Sequence, residues 1–152
     1  MSISSQEVQK LRLETSIGIM DCKKALTEAK GDYKKAKEIL KKKGALKALK
    51  KAERASNQGI VASYIHGNGK IGVMIELSTE TDFAAKNPLF LDLAHNLAMQ
   101  IASMDPKNES ELLKQDYIKD SDLSIKELIE ENISKIGENI KIKKFIRYEL
   151  GK

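Results

Sequence analysis

The stretch Ile60-Val61-Ala62-Ser63-Tyr64-Ile65-His66-Gly67-Asn68-Gly69-Lys70-Ile71-Gly72-Val73-Met74-Ile75-Glu76-Leu77 decides the fold. Two β-rich runs, 60–66 and 70–77, flank His66-Gly67-Asn68-Gly69. Gly and Asn accept the positive φ that a tight hairpin needs. In the second run Ile71, Val73, Ile75 and Leu77 alternate with Gly72, Met74, Glu76 and Ser78. That is the period-two pattern of a strand with one buried face.

Downstream of the hairpin, Ser78 to Asn87 is a polar connection carrying Phe83, one of only 3 Phe residues. Asn87-Pro88 then reads as a helix start, because Asn caps and Pro suits the first helical position. Leu89, Phe90, Leu93, Leu97 and Ile101 make the inner stripe of that helix, which is predicted to end near Ser103. A short helix is expected within 109–119. Ser124-Ile125-Lys126-Glu127 has capping-box spacing and opens a helix with Ile125, Leu128, Ile129, Ile133 and Ile136 on one side, stopped at Gly137. From Ile140 the even positions read Ile140, Ile142, Lys144, Ile146, Tyr148, Leu150 and the odd positions Lys141, Lys143, Phe145, Arg147, Glu149; apart from Lys144 and Phe145 this is clean alternation, which predicts a closing strand. The expected architecture of 56–152 is α+β: a three-stranded, largely antiparallel sheet with helices on one face. Three strands leave two open edges, which invite pairing with another chain.

Upstream, residues 1–55 read as helical. Ser4 and Glu7 have capping-box spacing, and Val8 and Leu11 lie one turn apart, so a first helix runs from about Ser5 to Thr15. A second runs from about Met20 to Lys30, with Cys22, Ala25, Leu26 and Ala29 on one face and Gly31 as its cap. Asp32 caps a third, with Tyr33, Ala36, Ile39 and Leu40 inward and Gly44 at its end. Helices this short must pack on each other to persist. Ala45 to Ala55 reads as a basic, helix-prone extension, either a solvated connector or a contact strip for RNA or an acidic partner.

Composition narrows the function classes. The chain has 152 residues, 41% hydrophobic and 32% charged, enough for a packed core. Its net charge of +5 is uneven: residues 1–58 hold 15 Lys/Arg against 7 Asp/Glu, and the remainder 12 against 15. A basic first third has nucleic acid or an acidic protein surface as its natural partners. The single cysteine, Cys22, excludes an intrachain disulfide, and with two histidines it leaves too few ligands for the usual zinc sites. Cys22 falls on an apolar helix face and reads as a buried small hydrophobe rather than a nucleophile. No apolar run reaches the ~20 residues of a membrane span, and 1–9 has no signal-peptide pattern. Gly69-Lys70 fails as a phosphate-binding loop, since residue 64 is Tyr and residue 71 is Ile. No G-x-G-x-x-G and no metal-ligand cluster is present. The reading is of a soluble non-enzyme that acts by binding, with no cofactor.

Three segments carry a family resemblance. Leu11-Arg12-Leu13-Glu14-Thr15-Ser16-Ile17-Gly18-Ile19-Met20-Asp21-Cys22-Lys23-Lys24-Ala25-Leu26 resembles the N-terminal signature of the elongation factor Ts family. Glu76 to Lys86, with Thr81-Asp82-Phe83-Ala84, resembles its second signature, and Lys135 to Ile140 a third shared segment. They lie in family order, and the resemblance spans essentially the whole chain. Departures are mild: Ser16-Ile17 stands for Gly-Ala, Ser78 for Asn and Ala84 for Val.

The resemblance implies a guanine-nucleotide exchange factor for elongation factor Tu in the bacterial cytoplasm, or an organelle interior, with no need of nucleic acid or membrane. It implies that 1–55 is a ubiquitin-associated-like domain docking on the GTPase through Arg12, Ile19 and Met20. Thr81, Asp82, Phe83 and Ala84 match the element that intrudes beside the partner's magnesium site. Ile136, Gly137 and Glu138 match a contact near its phosphate-binding loop. Longer members have a second sheet subdomain and a coiled-coil insertion that are missing here, and short members associate as dimers, so a homodimer whose sheets complete each other is expected. A basic RNA- or ribosome-binding accessory protein, using Lys41-Lys42-Lys43 and 47–54, is the alternative. A phenylalanine in a polar loop read by itself folds back on the core, whereas the resemblance implies an outward wedge.

Overall fold

A computed structural model describes residues 2–152. Three helices open the chain: α1 (Ser5–Thr15), α2 (Ile19–Glu28) and α3 (Tyr33–Lys51). Ser4 and Glu7 form a full capping box on α1, and the Asp32 side chain accepts from the Lys35 amide to start α3. Val8, Leu11, Cys22, Ala25, Leu26, Ala36 and Leu40 close into one hydrophobic cluster. Glu28 ends α2, and Lys30 and Gly31 both take positive φ in the turn that follows.

α3 does not end at Gly44, contrary to the sequence expectation; it continues unbroken to Lys51. Gly44 is buried, and a Cβ built on it would stand 4.0 Å from Ser134 Cβ. α3 packs here directly on α7 (Ile125–Ile136), with room for a methyl but not for a larger side chain, and that packing carries the helix past a residue whose propensity alone would weaken it. α3 thereby serves two cores. Its first half packs with α1 and α2, and Ala48 lies in the cluster of the sheet region.

That region is a sheet of order β1-β2-β5, antiparallel throughout, from β1 (Gln58–His66), β2 (Ile71–Thr79) and β5 (Ile140–Glu149). The hairpin pairs His66 with Ile71 across a loop in which Gly67, Asn68 and Gly69 all have positive φ. One face is covered by α5 (Pro88–Met104), started by Asn87 accepting from the Leu89 amide. Phe90, Leu93, Leu97 and Ile101 pack against Val73, Ile75 and Leu77. Leu89, assigned to the inner stripe from sequence, is instead exposed at the helix entry. α6 (Glu109–Lys114) leads into a small hairpin that the sequence reading missed, β3 (Asp116–Tyr117) with β4 (Asp120–Ser124). Gln100 of α5, fully buried, holds it: its amide nitrogen donates to Asp116 O at 3.0 Å and its oxygen accepts from the Ile118 amide at 3.0 Å.

The simple alternation expected for β5 also fails. Its pairing with β2 shifts between Glu76↔Lys144 and Leu77↔Ile142, so Lys143 is an extra, bulged residue. Beyond a bulge the pleat changes phase. Ile140 and Ile142 face the core, but so then do Phe145 and Arg147, opposite Ile75 and Val73. The Arg147 side chain, 13% exposed, reaches the C-terminal carbonyl of α5 at Ala102 O with bonds of 3.2 and 3.1 Å. Ile146, Tyr148 and Leu150 turn outward, where they join Val61, Ile65 and Met74 on the uncovered face.

Candidate functional site

Two turns at one end of the sheet meet. The first follows β2. Thr81 caps a single helical turn, α4 (Asp82–Ala85), with its hydroxyl oxygen accepting from the Ala84 amide at 3.1 Å. Ala84 and Ala85 are buried, and Ala85 joins the main core. At ~100° per residue the side chains just before them must point away. Phe83 is therefore 88% exposed, and the fold-back expected of an isolated loop aromatic does not occur. Asp82 lies beside it, paired with Lys86 at 2.8 Å; the carboxylate's hydrogen bond raises the Lys86 pKa.

The second turn ends α7. Gly137, at φ 85°, donates its amide to Ile133 O at 2.8 Å and reverses the chain into β5. Glu138 then reaches across to the first turn. Its Oε1 accepts from the Thr81 amide at 2.9 Å and the Thr79 hydroxyl at 3.2 Å. Its Oε2 accepts from the Thr81 hydroxyl at 2.7 Å. Burial pushes its carboxyl pKa up, but the bonds from Thr81 and Thr79 outweigh that and hold it below the usual carboxylate range. Asn139 is buried behind it; its amide donates to Glu80 Oε1 at 2.7 Å and its side chain to Arg54 O at 2.9 Å. Lys51 donates to Gly137 O at 2.9 Å, so the end of α3 braces the same turn.

The third predicted group sits on the helical module. Arg12 is exposed in the last turn of α1, and Ile19 and Met20, 44% and 60% exposed, open α2 across the Ser16–Gly18 turn. Leu13, 83% exposed, adjoins them and was not singled out from sequence; its signal is an apolar residue off the Val8–Leu11 face. Thus the structure joins Thr81 to Glu138, while among the described residues no hydrogen bond or ion pair links either to Arg12, Ile19 or Met20.

The basic strip is largely turned onto the protein's own acids. Lys41 pairs with Glu127 at 2.9 Å, Lys43 with Glu28 at 3.2 Å, Lys47 with Asp21 at 3.2 Å and Arg54 with Glu80 at 3.6 Å. Cys22 is fully buried, its Sγ 3.6 Å from Ile17 O. Among the described residues no group of three or more His, Cys, Asp or Glu could hold a metal ion, and no helix is long and apolar enough to cross a membrane.

A family model described as elongation factor TS matches residues 5–111. A chloroplastic elongation factor Ts of Guillardia theta is 42% identical over 197 positions, covering 99% of this chain and 90% of that one. Elongation factor Ts of Moorella thermoacetica is 40% identical, with 98% and 96% covered, and that of Fervidobacterium nodosum 39%, with 99% and 100% covered. The 197 aligned positions against 152 residues here mean that at least 45 positions of the Guillardia protein have no counterpart in this chain.

Proposed function

Because this chain belongs to the elongation factor Ts family of translation elongation factors, we propose that it is a guanine-nucleotide exchange factor promoting GDP release from elongation factor Tu. The observation that carries the reading is Phe83, held 88% exposed on a capped turn beside Asp82. Arg12, Ile19 and Met20 dock the helical module on the GTPase domain. The Thr81–Ala84 turn enters beside the magnesium site, and the segment Ile136–Glu138 meets the phosphate-binding loop. GDP is held chiefly through its phosphates and magnesium. A protein that binds the nucleotide-free state more tightly weakens GDP binding by the same factor, because linkage is reciprocal. No covalent step is asked of any residue here, and no cofactor.

The magnitudes are consistent. Burying a Phe side chain is worth about 1.5–3 kcal/mol, and each ~1.4 kcal/mol is tenfold in rate. Phe83 thus accounts for about ten- to hundredfold of the acceleration, and other contacts supply the remainder. The test is release of a fluorescent GDP analogue from elongation factor Tu, with wild type and Phe83→Ala. Acceleration by wild type that falls about ten- to hundredfold in the variant supports the reading. Equal acceleration by both moves the lever to Ile136–Glu138, and none by either sinks the function.

The chain is further proposed to act as a homodimer in a bacterial cytoplasm or an organelle interior. Exposed Val61, Ile65, Met74, Ile146, Tyr148 and Leu150 share the uncovered sheet face. An apolar face of this kind is stabilised by a second copy.

A further inference from the structure

We infer that the Glu138 side chain is a positioning group for Phe83: its carboxylate clamps the Thr81–Ala85 turn from within the protein, so that what the Ile136–Glu138 segment offers the partner is its backbone and Ile136, not this carboxylate. The inference rests on the exchange reading above and assigns Glu138 its part in it. Three donors take both carboxylate oxygens: the Thr81 amide, the Thr79 hydroxyl and the Thr81 hydroxyl. Charge-assisted bonds of this kind are the stronger class. Little capacity is left for a partner. The Thr81 hydroxyl oxygen also accepts from the Ala84 amide, so one connected path runs from Glu138 through Thr81 into the turn that carries Phe83.

The turn needs such a clamp. α4 has only four residues and anchors itself by two small side chains, Ala84 and Ala85. An exposed Phe on so short a helix gains nothing from the core to fix its direction. Glu138, by contrast, stands on a braced base. Lys51 holds Gly137 O, and Asn139 bonds Glu80 on one side and the carbonyls of Ala52 and Arg54 on the other. The end of α3, the α7–β5 turn and the β2–α4 turn therefore form one unit. A wedge fixed before contact loses less entropy on insertion, and a small misplacement of an acting group costs rate steeply.

The experiment is a cycle on GDP release from elongation factor Tu with wild type, Glu138→Ala, Glu138→Gln, Phe83→Ala and the double variant Phe83→Ala/Glu138→Ala. Glu138→Ala is expected to lower the maximal release rate about tenfold while the half-saturating concentration moves by less than about threefold. Glu138→Gln, which keeps one acceptor oxygen, recovers part of the rate. The double variant is no slower than Phe83→Ala alone, because Glu138 acts through Phe83. Amide hydrogen exchange at Thr81 in the free Glu138→Ala protein is expected to speed up while the sheet stays protected. Multiplying effects in the double variant would show that Glu138 meets the partner directly and would overturn the assignment. So would a silent Glu138→Ala. If Glu138→Ala does not fold, the same cycle run with Glu138→Gln decides by the same criteria. Wild type that fails to accelerate release overturns the exchange reading itself, an outcome separate from an active wild type with a silent Glu138 variant.

Discussion

Phe83 and Glu138, proposed to act together, stand in opposite relation to the fold. Phe83 makes little of the fold, since its ring is in water. Phe83→Ala is therefore expected to leave the urea unfolding free energy within about 0.5 kcal/mol of wild type while exchange falls. A large stability loss would instead mean that the ring packs in solution. Glu138 belongs to the fold, and its depressed pKa makes it a pH-sensitive one. The sign follows from linkage: a carboxyl lower in the folded than in the unfolded chain stabilises fully above the ordinary range. That stabilisation is lost as pH falls through the folded value. The Thr81 amide resonance is expected to titrate with a midpoint below about 4.3, the ordinary Glu value. A midpoint above it would show that the three bonds do not hold the charge.

At the scale of elements, α3 and β5 carry the structural surprises. Gly44 costs α3 about 1 kcal/mol of helix propensity relative to Ala. A Cβ there would meet Ser134 Cβ at 4.0 Å, an ordinary contact. Gly44→Ala is thus expected to stabilise the protein by about 0.5–1 kcal/mol in thermal or urea unfolding, whereas Gly44→Leu wedges α3 from α7 and destabilises by about 1–3 kcal/mol. Stabilisation by both would refute the close-approach account. In β5 the bulge at Lys143 makes two faces from one strand: Phe145 and Arg147 complete the core, and Ile146 and Tyr148 are released to the outer face. Pure alternation would have buried Tyr148 and exposed Phe145.

At the scale of the whole molecule, the helical module joins the sheet region mainly through packing of α3 on α7, with ion pairs contributing little. Lys41–Glu127 joins the helical module to α7, but both side chains are about one-third exposed and such a pair is worth under about 1 kcal/mol. The proposed dimer rests on the outer sheet face. Tyr148→Lys is expected to turn a dimer into a monomer in light scattering at tens of micromolar, on the order where specific interfaces persist, with little change in the circular dichroism of the subunit. Wild type running as a monomer would remove the dimer reading. Much of this organisation was legible along the chain. The caps at Ser4, Asp32, Asn87 and Ser124, the Gly67–Gly69 hairpin and the stop at Gly137 are local events, set by residues within a few positions of each other, and each stands where periodicity and capping chemistry put it. The family signatures were legible for the same reason, as short contiguous strings. The continuation of α3 through Gly44, the phase of β5 after Lys143, the β3–β4 hairpin held by Gln100 and the grip of Glu138 on Thr81 were decided only in three dimensions. Each depends on an atom 15 or more residues away arriving within bonding or packing distance, and no local propensity carries that information.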